Sequence, residues 1–129
     1  MKLLLDTNAY SDFMRGHEPV VKQIRSAELL LMSPFVIGEL LYGFRNGRHF
    51  EKNRTQLDDF LSMSVVEWLP VTLSTSDRYS RIVMDLRRKG RPIPTNDIWI
   101  AAHAMESGAE LLSRDRHFQE VPGLLVREF

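Results

Sequence analysis

Two runs of leucine constrain this chain more than anything else in it. Leu3-Leu4-Leu5 and Leu29-Leu30-Leu31-Met32 are continuous rather than alternating. A strand with one face in water alternates apolar and polar side chains, whereas an unbroken run fits a strand covered on both faces, as in a parallel sheet flanked by helices. Helical stretches lie between such runs. One is expected over Thr7–Met14, broken by Gly16, and a second opens at Pro19 and continues to Arg25. Ser33-Pro34 pairs an N-cap hydroxyl with a proline at the first helical position, so a third helix continues from Phe35 to Arg45 and ends at Asn46-Gly47. Arg48–Leu61 is amphipathic, with Phe50, Leu57, Phe60 and Leu61 pointing inward, and Val65–Val71 is rich in strand formers, with Pro70 ending or edging it.

The second half repeats the alternation. Ser74 or Ser76 is expected to cap a helix that runs to Lys89, and Gly90-Arg91-Pro92-Ile93-Pro94 is a loop. Thr95 is expected to cap a helix over Asn96–Glu106 that stops at Ser107-Gly108. A strand over Ala109–Ser113, a polar turn over Arg114–His117 and a last strand over Leu124–Val126 complete the chain. Strands alternating with helices predict an α/β fold with a mostly parallel sheet and right-handed crossovers. With 129 residues and no internal repeat or linker, one domain over 1–129 is the expectation.

Composition removes several classes of chemistry. There is no cysteine, which excludes disulfides, thiolate zinc sites and a cysteine nucleophile. The run at Leu3 is too short for the core of a signal peptide or a membrane span, so a cytoplasmic protein is expected. Lys plus Arg and Asp plus Glu both number 17, so a polyanion would have to be gripped locally. Two basic stretches are available, Arg45, Arg48, Lys52 and Arg54, then Arg78, Arg81, Arg87, Arg88, Lys89 and Arg91, although such runs also serve as solvated helix faces.

Ligands of open parallel sheets bind outside the carboxyl ends of the strands, so acids that terminate apolar runs are the first candidates for a site. Asp6 ends Leu3-Leu4-Leu5, and Asp115 follows Leu111-Leu112-Ser113. Either could instead be a cap or a turn residue. Glu39 sits among Phe35, Val36, Ile37, Leu40, Leu41 and Phe44, on a helix with little wet face, and a half-buried carboxylate needs an arginine or a metal ion. Asp97 lies in the first turn of its helix, which the macrodipole favours. Ala101 and Ala104 share its side, so that helix can approach the sheet closely and carry Asp97 toward the strand ends. Asn96 offers an amide to orient a carboxylate or a water. Four acids gathered at one rim would repel unless a hard cation such as Mg²⁺ or Mn²⁺ lay among them.

Taken in order, Leu3-Leu4-Leu5-Asp6-Thr7-Asn8, Gly38-Glu39-Leu40, Asn96-Asp97-Ile98-Trp99-Ile100-Ala101-Ala102 and Ser113-Arg114-Asp115-Arg116-His117-Phe118 resemble the PIN-domain family, its VapC toxin branch in particular, from one end of the chain to the other. The resemblance implies a three-layer α/β/α fold and a Mg²⁺- or Mn²⁺-dependent endoribonuclease. It also implies an RNA substrate such as a tRNA or an rRNA loop, a homodimer, and a cognate antitoxin that neutralises the toxin. It assigns metal binding and catalysis to Asp6, Glu39, Asp97 and Asp115, with water rather than a side chain as nucleophile. It places supporting polar groups at Asn8 and Ser113; by their positions beside the acids Thr7 and Asn96 are read as further supporting donors, and Arg114 and Arg116 as candidate phosphate contacts, with a solvated turn residue the alternative for at least one of the two arginines.

Two other readings compete. An aspartyl-phosphate enzyme would want a second acid where Asn8 stands. A non-catalytic PIN-like module that binds RNA or protein would be marked by a lost acid, and none is missing. His17, His49, His103 and His117 lack the spacing of a zinc site and are read as structural or solvent-facing, with His117 left outside the site; Trp68 and Trp99 are read as core or interface residues.

Overall fold

The computed structural model describes residues 1–129. Its elements, in order, are β1 (Lys2–Leu5), α1 (Thr7–Met14), α2 (Glu18–Arg25), β2 (Leu29–Met32), α3 (Pro34–Arg45), α4 (Phe50–Leu61), β3 (Val66–Trp68), α5 (Leu73–Lys89), α6 (Thr95–Ser107), β4 (Glu110–Leu112), a 3₁₀ turn (Arg116–Glu120) and β5 (Val126–Arg127). Every strand pairing is parallel, and the sheet order is β3-β2-β1-β4-β5. The leucine runs occupy the centre. Leu3, Leu4 and Leu5 are wholly inaccessible to solvent, and Leu30, Leu31 and Met32 nearly so.

That strand order fixes where the helices go. From β1 the chain steps outward through β2 to β3, then returns across the sheet to β4 on the far side of β1. Right-handed crossovers place α1 to α4 over one face and the antiparallel pair α5 and α6 over the other, giving three α/β/α layers. β1 and β4 are also where the direction of winding reverses, and the crevice beyond their carboxyl ends is the expected ligand site of such a sheet. The Asp6 N–H extends the ladder there by donating to the Leu112 carbonyl at 3.1 Å.

The helices meet the sheet as their patterns require. In α6, Ile100, Ala101, Ala102 and Ala104 are wholly buried, and the alanines let the helix lie close. Trp99 stacks between Phe35, at 5.3 Å, and Tyr79, at 4.1 Å, and so ties α6 to α3 and α5. Trp68 is different, standing 61% exposed on the edge strand. Leu57 and Phe60 of α4 are buried as expected, while Phe50 and Leu61 are only partly covered. Arg45 lies over the Phe50 ring, and Arg54 and Arg81 pair with Asp58 and Asp77 on their own helices, so parts of both basic stretches are spent locally.

Several boundaries differ from the sequence reading, the strands expected over Val65–Val71 and Ala109–Ser113 being shorter, as Val66–Trp68 and Glu110–Leu112. Thr72, rather than Ser74 or Ser76, caps α5, because Thr75 reciprocates in a capping box and both hydroxyls reach Glu106 at the end of α6. Thr95 is already inside α6, which starts without a side-chain cap, the Pro94 carbonyl accepting from the N–H groups of Asp97 and Ile98. The last strand is Val126–Arg127, displaced toward the C-terminus from Leu124–Val126. The polar turn after β4 continues into the 3₁₀ turn, because the Asp115 carboxylate accepts from the His117 N–H at 3.0 Å and starts it.

His103 is the one imidazole enclosed in the core. Burial pushes its pKa down and keeps it neutral. The Pro70 carbonyl, 3.2 Å from Nε2, can only accept, which places the proton on that nitrogen and leaves Nδ1 to accept from the Ser33 hydroxyl at 2.8 Å. Ser33 Oγ accepts in turn from the Phe35 N–H at the start of α3. No helix in the structure is long and apolar enough to cross a membrane.

Enlarging the alanine contact should be felt in both stability and site geometry. Ala101→Leu is expected to cost about 1–3 kcal/mol by overpacking, seen as a lower urea midpoint at unchanged slope.

Candidate active site

Asp6 is held at the tip of β1 by more donors than any other acid in the chain. Its Oδ1 accepts from the Thr7 N–H at 2.8 Å as the N-cap of α1, and its Oδ2 accepts from the Ser113 hydroxyl at 2.7 Å and the Asn8 amide at 3.2 Å. It is 4% exposed. Burial raises its pKa from 3.8 to about 6, against the lowering effect of Ser113 and Thr7, and the charges on Asp97 and Glu39 push the same way as burial.

Glu39 comes from α3 on the other side of β1. Thr7 donates its hydroxyl to Oε2 at 2.7 Å, and Asn96, at the start of α6, donates its side-chain amide to Oε1 at 2.9 Å. Asn96 thus orients a carboxylate, and the half-buried glutamate has no arginine. Asp97, beside it, is also half-buried, and its pKa is raised first by desolvation, with Asp115 and Glu39 adding repulsion and His117 opposing. Asp115 lies beyond β4, its N–H donating to Ser113 Oγ at 3.0 Å. Ser113 therefore joins Asp6 and the Asp115 backbone through one hydroxyl.

The structure thus brings Asp6, Glu39, Asp97 and Asp115 to the rim where β1 and β4 end, with Thr7, Asn8, Asn96 and Ser113 as their donors. It also adds a group that the sequence reading left out. His117 Nδ1 lies 3.0 Å from Asp97 Oδ2, within hydrogen-bonding reach, and 3.3 Å from Asp115 Oδ1, so the imidazole sits between the two carboxylates. Asp97, Asp115 and His117 present ligand atoms all within 4.8 Å of one another. The available signal was local: an aspartate two positions before a histidine, caught in a side-chain-to-backbone turn that folds the imidazole back. His17 and His49 are solvent-facing.

The flanking arginines separate. Arg114 ion-pairs with Asp12 of α1, so its guanidinium is directed away from the acids, whereas Arg116 is exposed and forms no ion pair. No lysine or arginine is paired with any of the four rim carboxylates. Two of these acids are pushed toward protonation by burial and mutual repulsion, and all four offer hard oxygen donors at one place. Such a donor set fits a divalent cation of the Mg²⁺ or Mn²⁺ type. Beside it, Pro34, Phe35, Gly38, Glu39, Tyr42 and Asn96 line an open cavity of about 370 Å³.

Comparison with known proteins gives a consistent result. The PIN domain family model matches residues 3–124. The ribonuclease VapC2 of Haemophilus influenzae is 31% identical over 128 residues, covering 96% of this chain and 95% of the relative. The ribonuclease VapC2 of Rickettsia felis is 30% identical over 134 residues, covering 100% and 98%. Among solved structures, VapBC2 from Rickettsia felis bound to a DNA fragment from its promoter superposes with a TM-score of 0.88 at 26% identity, covering 100% of this chain and 99% of that one.

The raised pKa of Asp6 has a definite sign in the metal-free protein. Between about pH 4 and pH 6 the folded state keeps a proton that the unfolded chain has released, so this group's contribution becomes destabilising as pH rises through that window. Relative to Asp6→Asn, the metal-free protein should lose roughly 2–3 kcal/mol between pH 4 and pH 7. Chemical denaturation of both proteins at the two pH values, in EDTA, measures the difference; parallel stabilities would show that Asp6 is not strained.

Proposed function

The chain belongs to the PIN domain family, and from that premise we propose that it is a divalent-metal-dependent endoribonuclease, the toxin of a toxin–antitoxin pair, working as one nuclease domain over residues 1–129. The observation that carries this reading is the cluster of Asp6, Glu39, Asp97 and Asp115 at the point where the sheet reverses its winding, held by neutral donors and by no arginine or lysine. A phosphodiester substrate supplies the negative charge that such a centre repels until a cation is present.

In this reading Asp6, Glu39, Asp97 and Asp115 hold Mg²⁺ or Mn²⁺. Once bound there, such an ion would supply activation of water at neutral pH and neutralisation of charge on the phosphate oxygens. The rest falls to the protein. Ser113, Asn8 and the Thr7 N–H fix the two oxygens of Asp6, and Thr7 and Asn96 fix those of Glu39, so neither carboxylate has to reorganise when substrate arrives. His117 stands between Asp97 and Asp115, hydrogen-bonded to the first and 3.3 Å from the second. Arg116 is the flanking cation free to meet a neighbouring phosphate. The substrate is an RNA, a tRNA or an rRNA loop being the class that the resemblance suggests, and such a substrate implies action in the cytoplasm. One solved relative is a VapBC complex bound to DNA, which supports a cognate antitoxin as partner of this chain; a homodimer of the toxin as the unit it neutralises follows from the family resemblance alone.

Incubation of partner-free protein with total RNA tests the reading. Discrete products are expected with Mg²⁺ or Mn²⁺ and none with EDTA, and Asp6→Asn or Asp97→Asn should lower the rate by ~100-fold or more while the fold persists. Binding of RNA without metal-dependent cleavage in every fraction would replace the nuclease with a binding module. Thr7→Val removes only the hydroxyl that holds Glu39, and should lower metal affinity or activity by roughly 10–100-fold.

A further inference from the structure

Asp12 is a buried charge that the chemistry above does not use. It lies on α1, one turn beyond Asn8 and on the same face, and is 5% exposed. A carboxylate so enclosed requires ionic partners, and it has two. Arg15, three residues on and largely exposed, reaches Oδ1 at 2.8 Å. Arg114 reaches Oδ2 from the other end of the chain, and its guanidinium also lies 5.8 Å from the ring of Phe129.

Arg114 stands between two residues of the site. In an extended segment neighbouring side chains point to opposite sides, and Asp115 has φ −76° and ψ 122°. Ser113 accordingly turns toward Asp6, and Asp115 toward Asp97 and His117. Arg114 turns the other way, into α1, while its backbone N–H donates to Asn8 Oδ1 at 3.4 Å. Residues 113–115 are thereby fastened to α1 at successive turns, by Asn8 and by Asp12, and the free rim of the segment carries the carboxylate.

From this geometry we propose that Asp12 and Arg114 are positioning residues, a strut from α1 that aims the Ser113–Asp115 segment so that Asp115 faces Asp97 across the centre. The proposal rests on the reading of that centre as a metal-binding one. It also reassigns Arg114, which acts through its neighbour rather than on a phosphate.

The variants are Arg114→Met, which keeps the apolar stem, Asp12→Asn, and Arg114→Lys, which keeps charge without the planar fork. In the metal-free protein, amide exchange at Asp115 and His117 should quicken by about tenfold in Arg114→Met relative to amides of α5, because the segment is released locally. Mn²⁺ affinity by calorimetry and kcat should fall by roughly 10–100-fold, the range for groups that orient metal ligands. KM for RNA should stay within about threefold, and Arg114→Lys should lie between Arg114→Met and the unmodified protein. Should Arg114→Met fail to fold, Asp12→Asn and Arg114→Lys are judged by the same measurements. A lowered Tm with unchanged exchange at these two amides and unchanged Mn²⁺ affinity would overturn the proposal in favour of a purely structural pair. Unchanged Mn²⁺ affinity with a raised, salt-sensitive KM would overturn it in favour of a phosphate contact. If the unmodified protein cleaves no RNA while the exchange and Mn²⁺ results hold, the strut stands and the nuclease reading falls.

Discussion

Repulsion among four carboxylates at one rim of the sheet is the constraint to which the rest of the structure answers. At the separations of such a cluster, like charges in partly buried surroundings disfavour one another by an amount that ordinary surface acids never meet. The effect is visible in Asp6, raised to about 6, and in Asp97, raised as well, each by burial first and by its neighbours afterwards. Surrounding arginines would remove the repulsion, but they would also occupy the place of a cation. The chain uses neutral donors instead, the hydroxyls of Thr7 and Ser113, the amides of Asn8 and Asn96 and the N–H of Thr7, which fix orientation without cancelling charge. The site therefore stays negative and geometrically ready, at some expense of stability.

Holding such a centre open requires a rigid frame, and the frame is the pair of central strands. Three leucines of β1 with no exposure anchor Asp6 directly, and the Asp6 N–H is the next rung of the ladder to β4. Glu39 and Asp97 sit on helices instead, and their register depends on what joins α3 to α6. A neutral His103, fixed in one tautomer between Pro70 and Ser33, connects the middle of α6 with the N-cap of α3. Trp99, stacked against Phe35 and Tyr79, supplies the apolar part of the same joint. Glu39 and Asn96 meet at 2.9 Å because these contacts determine how the helices approach.

What was legible in the sequence follows from which signals are local. Buried strands announce themselves as apolar runs, and a residue that ends such a run in a parallel sheet must emerge at the carboxyl rim, so Asp6 and Asp115 could be placed before any coordinates. The alanine face of α6 similarly located Asp97. Caps were less legible: Thr72 prevailed over Ser74 and Ser76 because its partners include Glu106, far along the chain. His117 required knowing that Asp115 would bend the backbone around itself. Arg114 was the hardest, since Asp12, 102 residues earlier, is what turns it away from the phosphate contact its position suggested.

The two kinds of support also divide the site mechanically. Asp6 is bound through both oxygens at the end of a central strand, and Glu39 through both oxygens between two helices. Asp115 belongs to a turn in which it accepts from the His117 N–H, and its link to Asp97 runs through the half-exposed His117 side chain. Ordered strand and helix termini open less readily than turns, so the half of the centre built on Asp115 and His117 has the lower local stability unless something outside the turn restrains it. Besides the His117–Asp97 contact, the bonds of residues 113 and 114 tie that turn to the rigid half, Ser113 to Asp6 and Arg114 to α1. A cation drawn to all four acids would close the same gap from inside the site, and its binding and the ordering of this turn would then be one coupled equilibrium.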